Sequence, residues 1–316
     1  MLMQHTTPEY SLIIPVYNSS GSLEELYSRI KAVFETGINE TFEIIMVDDS
    51  SRDDSWKIME KLRQSDPRVK TIQLLKNFGQ HIATLCGLEH ATGNFFITLD
   101  DDLQHPPEEI VKLIDFYGKN QPVDVVFATF KKDHHSVIRN IGSKLLNRIL
   151  NYIFQTGSLI TMSSYRFINK KTRDALISFH GQNLTISSLI CMSTSRLANV
   201  SMRHSARKLG VSNYNFLNLI RLSISNIFNF SSLPLRFVSI MGLFFSVIAV
   251  IFAFYTLYQR LMGQTILPGF ASLAILISFF SGLILFSLGI LGEYILRILN
   301  GVNVGKNYFI RKINFE

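Results

Sequence analysis

Charge is scarce in this chain: Asp, Glu, Lys and Arg make up 17% of its 316 residues, against about a quarter in an ordinary soluble domain. Cysteine is scarcer. Cys86 and Cys191 are the only two, which excludes a disulfide scaffold, matches no metal-binding spacing and fits a reducing, cytosolic face. Residues 1–10 lack the basic-then-apolar layout of a secretory leader. No G-x-G-x-x-G follows the first apolar run and no G-x-x-x-x-G-K-[ST] occurs, which argues against a dinucleotide oxidoreductase or a P-loop NTPase. Disorder is excluded too, because 47% of the residues are hydrophobic.

The charge that is present is unevenly placed. Residues 1–130 carry 11 Lys and Arg against 20 Asp and Glu; residues 131–212 carry 13 against 2; residues 213–316 carry 7 against 2. An acidic front, a basic middle and an apolar tail imply more than one environment for one molecule. In the tail, residues 237–258 and 270–292 contain no charged side chain. Each run is long enough to span a bilayer core of about 30 Å once, as about 20 helical residues do. Arg203, Arg207, Lys208, Arg221 and Arg236 precede the pair and Arg297, Lys306, Arg311 and Lys312 follow it, whereas the link, residues 259–269, holds only Arg260. This bias predicts a transmembrane hairpin with both outer ends in the cytosol.

The first 130 residues alternate between strand-like and helix-like segments. Short apolar runs at 11–18, 42–51, 69–75, 94–102 and 123–130 read as strands, and helical patterns lie at 23–36, 54–63, 80–91 and after Pro106 and Pro107. Such alternation predicts an α/β domain with a mostly parallel sheet. Ligands in such sheets sit beyond the carboxyl ends of the strands. Tyr17, Asn18, Asp48, Asp49, Lys76, Asn77 and Asp100 to Asp102 fall at those ends. Asp100 and Asp102, at i and i+2, can turn into one loop and hold a hard divalent cation, Mg²⁺ or Mn²⁺, together with substrate phosphates. Asp101 points away on this reading and is expected to be dispensable. A solvated acidic turn is the plain alternative for either acidic cluster.

Residues 136–154 place their apolar side chains mainly on one helical stripe, flanked by Arg139, Lys144 and Arg148. That pattern predicts a cationic helix lying in a membrane interface, although a core-facing helix shows the same period. A second such helix is expected over 213–230. Nucleic acid, the other partner of a basic patch, is disfavoured because no stacking aromatics accompany the charge.

Four motifs in order, S-L-I-I-P-V-Y-N, I-I-M-V-D-D-S-S-R-D-D-S, L-L-K-N-F-G-Q-H and T-L-D-D-D-L-Q-H-P-P-E-E-I, resemble the family 2 glycosyltransferases. With S-V-I-R-N-I-G-S-K-L-L-N-R, R-K-L-G-V-S-N-Y and L-G-I-L-G-E-Y-I-L-R, the likeness narrows to the polyprenyl-phosphate branch, which includes dolichyl-phosphate mannose synthase, bactoprenol glucosyltransferases and undecaprenyl-phosphate aminoarabinose transferase. The resemblance implies a GT-A-like fold. It implies that Pro15, Tyr17, Asp48 and Asp49 line the base and ribose, that Lys76 lies near the phosphates and that Asp100 and Asp102 hold the metal. Gln104 would face the sugar. Arg139, Ser143, Lys144, Arg207 and Ser212 would bind the phosphates where donor and lipid meet. It also implies four parts: a donor half at 1–135, an acceptor half at 136–232, a hairpin at 233–296 and a cytosolic tail at 297–316.

Departures accompany the likeness. The family's Y-N-E is Tyr17-Asn18-Ser19 here, its D-A-D is Asp100-Asp101-Asp102, its G-D-[FY]-R is Ser163 to Arg166, and its S-K-Y is Ser212-Asn213-Tyr214. No Glu-Asp dipeptide and no R-W motif occur, so the general base and the signature of the processive synthases are missing. A lipid phosphate is already ionised and needs no base. The expected reaction is an inverting transfer of one sugar from a nucleotide donor, with UDP the leading nucleotide, to undecaprenyl phosphate at the bacterial inner membrane. A homo-oligomer, dimer or tetramer, fits the thin hairpin. A processive polysaccharide synthase and a non-catalytic descendant of a transferase remain alternatives.

Overall fold

Buried runs of β-branched and aromatic residues form the central strands of a sheet that helices cover on both faces. The computed structural model describes residues 7–130, 160–179, 185–202, 233–262, 269–302 and 308–315. Strands β1 (Tyr10–Val16) and β2 (Phe42–Asp48) are buried at every position, which explains why they read as continuous apolar runs and not as alternating ones. Strands β3 (Val69–Leu74), β4 (Phe95–Thr98) and β5 (Val125–Phe130) follow, linked by helices α1 (Leu23–Val33), α2 (Ser55–Ser65), α3 (Gln80–His90) and α4 (Ile110–Lys119). These nine elements lie where the sequence pattern predicts them.

Three more strands carry weaker sequence signals: β6 (Arg166–Asn169), β7 (Leu197–Met202) and β8 (Ile310–Asn314). Helices α5 (Lys170–Ser178) and α6 (Ile186–Ser193) stand between β6 and β7. Each has a side-chain cap: Asn169 accepts from Thr172 N and Thr185 from Ser188 N. The sheet order is β7-β5-β6-β4-β1-β2-β3-β8. The β1–β2, β1–β4, β2–β3 and β5–β7 pairs are parallel, and the pairs made by β6 and β8 are antiparallel. The mostly parallel expectation therefore holds at the centre. Residues 297–316, expected as a tail, contain β8, which closes the β3 edge.

Two cores lie on the two faces of the sheet. Leu12, Ile14, Ile44 and Met46 pack with Leu26, Ile30 and Leu113 on one side; Ile13, Ile45 and Val47 pack with Ala83, Cys86 and Leu88 on the other. Each fully buried Leu or Ile contributes about 1.5–3 kcal/mol. Gly87 lets α3 approach closely, because a Cβ there would come within 2.5 Å of Ile13 Cγ2.

By contact the chain forms two compact units, Met1–Asn213 with Val304–Glu316, and Tyr214–Asn303. The second contains α7 (Leu233–Leu261) and α8 (Phe270–Val302), of 29 and 33 residues. Phe245 of α7 meets Phe279 and Phe280 of α8 edge-on at 5.3 and 6.3 Å. Both helices outrun the uncharged segments that defined them in the sequence. In α8 the extension passes through Glu293 and Arg297, residues of good helix propensity. Two packed helices thus stand where the transmembrane hairpin was expected; its link, residues 263–268, lies outside the described residues. Among the described residues, however, no helix is long and apolar enough to cross a membrane. The interfacial helices expected at 136–154 and 213–230 lie outside the described residues.

Candidate active site

Strand β1 pairs with β2 on one side and β4 on the other, so the chain order reverses between β1 and β4. Such a reversal of strand order marks the place, beyond the carboxyl ends of the strands, where α/β sheets bind ligands. Pro15 is a buried residue within β1. Tyr17, just beyond the strand, is 43% exposed. Asn18 adopts the left-handed conformation at φ 53, which Asn tolerates. Its Oδ1 accepts from Arg52 N at 2.7 Å and its own N–H donates to Ser51 Oγ at 3.0 Å. Ser19 N donates to Ser55 Oγ and Ser20 N to Asp53 Oδ2, at 2.9 and 3.0 Å. The β1 loop is therefore laced to the loop after β2.

The two acids at the end of β2 are enclosed. Asp48 Oδ1 accepts from Ser51 N and Oδ2 from Gln73 Nε2, both at 3.0 Å. Asp49 accepts from Phe78 N and Gly79 N, each at 2.7 Å. Burial pushes the Asp49 carboxyl up from its ordinary value, and those two N–H groups oppose the shift. Asp49 thereby anchors the loop after β3, where Gly79 at φ 91 makes the turn into α3 that a side chain would strain. Exposed Lys76 sits on this loop, with its amine 5.0 Å from the centroid of the Phe78 ring.

The acids beyond β4 are more open. Asp100 Oδ1 accepts from Gln80 Nε2 at 2.5 Å, and Oδ2 accepts from Ser164 Oγ at 2.7 Å with His105 Nδ1 3.5 Å away. Asp102 Oδ1 accepts from Gln104 N at 3.1 Å, across a turn in which Leu103 has φ 60. Asp101 instead faces the β1 loop, and its Oδ2 accepts from Tyr17 N at 3.0 Å. Burial raises the Asp101 pKa to about 6, with Asp100 and Asp102 adding to the shift. Behind Asp100 lies Arg166, 2% exposed, donating to Thr98 Oγ1, Ser164 O and Ser187 Oγ at 3.1, 3.3 and 3.2 Å. Burial lowers its pKa to about 10 while Asp100 pulls the other way, so it stays charged at neutral pH.

Tyr17, Asp100, Asp102 and Gln104 thus gather beyond the carboxyl ends of β1 and β4, with Lys76 on the loop after β3. Pro15, Asp48 and Asp49 form the buried frame behind them. Arg139, Ser143, Lys144, Arg207 and Ser212 lie outside the described residues. Gln80, Ser164 and Arg166 are site residues that spacing alone does not single out. The G-Q-H step at the start of α3 was the available signal for Gln80. A hard cation takes one or two carboxylates and leaves its other positions to phosphate and water. The structure fits that demand. Asp100 and Asp102 offer oxygen from two carboxylates that accept from amide, hydroxyl and backbone N–H groups. Among the described residues no group of three or more His, Cys, Asp or Glu forms a protein-only cage.

A mostly parallel sheet covered on both faces, with carboxylates at its switch point, defines the class: a GT-A-like α/β fold. The chain belongs to glycosyl transferase family 2, whose model matches residues 11–176, and it is an enzyme, a glycosyltransferase. It is 32% identical over 320 residues to the undecaprenyl-phosphate 4-deoxy-4-formamido-L-arabinose transferase of Klebsiella pneumoniae, covering 99% of this chain and 96% of that one. An uncharacterised glycosyltransferase of Bacillus subtilis is 30% identical over 304 residues, 96% and 94% of the two chains. Among solved structures, glucosyl-3-phosphoglycerate synthase of Mycobacterium tuberculosis, in complex with Mn²⁺, UDP and glucosyl-3-phosphoglycerate, superposes with a TM-score of 0.50 at 14% identity. That match covers 70% of this chain and 78% of that one. At such identity it shows the shared fold alone.

Proposed function

We propose that this glycosyltransferase moves one sugar from a nucleoside-diphosphate donor to a polyprenyl phosphate, undecaprenyl phosphate in a bacterium, at the cytosolic face of the membrane. The observation that carries the reading is the likeness to undecaprenyl-phosphate transferases over 99% of the chain, which extends through both long C-terminal helices as well as the sheet. Leu243, Phe254 and Leu285 on those helices are each close to 70% exposed. So much exposed apolar surface fits a lipid environment better than water. Both ends of the two-helix unit return to the sheet unit, one of them into β8. A homo-oligomer that pools hairpins accords with this arrangement.

Asp100 and Asp102 would hold Mg²⁺ or Mn²⁺. A bound cation of this kind neutralises charge on the departing nucleoside diphosphate. The remaining roles fall to the chain's own groups. Tyr17 lies open for the base, Gln104 faces the sugar, and Lys76 supplies a positive charge for the donor phosphates. Arg139, Ser143, Lys144, Arg207 and Ser212 bind the acceptor phosphate, where the planar guanidinium forks match phosphate oxygen. No general base is required, because the acceptor oxygen is already ionised. A single in-line displacement at the anomeric carbon inverts the sugar.

The test is incubation of the purified full-length protein with labelled nucleotide sugars, Mn²⁺ and undecaprenyl phosphate. One donor should yield a singly glycosylated lipid phosphate. A polymeric product would replace this reading with a processive synthase, and absence of lipid-linked product from every donor would overturn it.

A further inference from the structure

Asp101 lies between the two acids assigned to the cation, yet its contacts lead to a different loop. Its Oδ2 accepts from Tyr17 N at 3.0 Å, and Ser19, whose hydroxyl donates to Tyr17 O at 3.2 Å, lies close enough to pull the pKa of the same carboxylate down. The backbone joins in: Ser22 Oγ donates to the Asp101 carbonyl at 2.5 Å. One residue at the switch point thus ties the loop that presents Tyr17 to the loop that presents Asp100 and Asp102. The same β1 loop is independently fastened to the β2 loop through Asn18, Ser19 and Ser20. Loss of the Asp101 carboxylate would therefore loosen only the Tyr17 end of this loop on the metal side, because the Ser22 bond to the backbone and the fastening to the β2 loop remain.

Two departures in the sequence meet at this contact. Ser19 stands where the resemblance expects Glu, and Asp101 stands where it expects Ala. One position has lost a carboxylate and its spatial neighbour has gained one. We propose that Asp101 is a positioning residue that supplies from the β4 loop the carboxylate missing at position 19, clamping the β1 loop so that Tyr17 and the cation-holding pair face one nucleoside diphosphate together. This inference rests on the nucleotide-sugar reading of the site.

The test is calorimetric titration of the full-length protein in detergent with UDP, and then GDP, in the presence of Mn²⁺, paired with thermal unfolding of each variant. D101A should weaken binding about tenfold, the worth of one charge-assisted hydrogen bond, with little change in melting temperature. D101N keeps an acceptor oxygen for Tyr17 N and should fall between D101A and the parent. S19E alone should also weaken binding, because it sets a second carboxylate against Asp101. S19E/D101A, which moves the carboxylate back to the β1 loop, should recover binding to within about threefold of the parent. A purely structural Asp101 would lower the melting temperature in D101A and give no recovery in the double variant. Parent and D101A binding the nucleotide equally well would overturn the clamp alone. A parent that binds neither nucleotide would overturn the nucleotide reading and the clamp with it.

Discussion

The acids at the two ends of the sheet are held in opposite ways. At the amino end, Glu43 is 3% exposed and takes Lys70 Nζ at 2.5 Å, with Ser11 Oγ and Thr92 N adding bonds at 2.6 and 2.7 Å. Asp66, 4% exposed, accepts from Arg68 Nη2 at 2.7 Å and Tyr27 OH at 2.8 Å. At the carboxyl end, Asp48, Asp49, Asp100 and Asp101 accept from backbone N–H, amide and hydroxyl groups. The proton affinities follow. Burial raises Glu43, Asp66, Asp49 and Asp101, but Lys70 and Arg68, with Ser11, Thr92 and Tyr27, more than reverse it and leave Glu43 and Asp66 lowered, whereas Asp49 and Asp101 stay raised. Lysine and arginine close one end of the sheet for stability. At the other end neutral donors orient the carboxylates, and buried Arg166 donates to Thr98, Ser164 and Ser187.

Removing an acid from the open end should break function and leave the fold intact. Replacing Asp100 or Asp102 with Ala should cut sugar transfer more than about 100-fold, roughly 3 kcal/mol, while the melting temperature holds; equal losses of both would merge the two classes of acid. Asp49 belongs to the open end by position but to the frame by contact. Asp49→Ala strands the Phe78 and Gly79 N–H groups and should cost about 3 kcal/mol in denaturant unfolding. Asp49→Asn, which retains an acceptor, should cost less.

Acid titration sharpens the contrast at the closed end. Asp66 has a folded pKa of about 2, below its ordinary 3.8. Its contribution is therefore complete above about pH 4 and disappears as pH falls through 2. Unfolding free energies in urea from pH 6 to pH 2 should decline by roughly 2 kcal/mol from this group, and Asp66→Asn should flatten that part of the curve. Glu43 acts with the same sign. Asp49, being raised, has the opposite sign and loses its contribution as pH rises through its folded value.

The smallest effect concerns the hydroxyl that orients Asp100. Ser164→Ala should weaken Mn²⁺ binding about fivefold, near 1 kcal/mol, the worth of one hydrogen bond. Ser164→Thr should retain it. Manganese binding that is unchanged in Ser164→Ala would show that Gln80 alone fixes the carboxylate.

Much of this molecule was written in local pattern. Buried strands such as I-I-P-V and I-I-M-V, the helices between them and the acids at their ends are all set by apolar periodicity and by the residues that terminate a strand. The uncharged runs in the tail likewise marked α7 and α8. The edges of the sheet were not legible in this way. β6 is four residues long with Arg166 at its head, and its place between β4 and β5 comes from pairing with residues about 40 and 70 positions away. β8 is a mixed polar segment that gains strand character from the open edge of β3.

The sequence by itself determined the family, the α/β class and the position of every carboxylate at a strand end, because each of these is a property of neighbours along the chain. Only the tertiary structure decided what each carboxylate does. Asp49 caps a loop because Phe78 and Gly79 fold back onto β2. Ser164 serves Asp100 because β6 runs antiparallel beside β4. Asp101 reaches Tyr17, 84 residues earlier, because β1 and β4 are neighbours at the switch point. Such contacts depend on the order of strands in the sheet, and strand order is set by burial of the whole core, which no local spacing encodes.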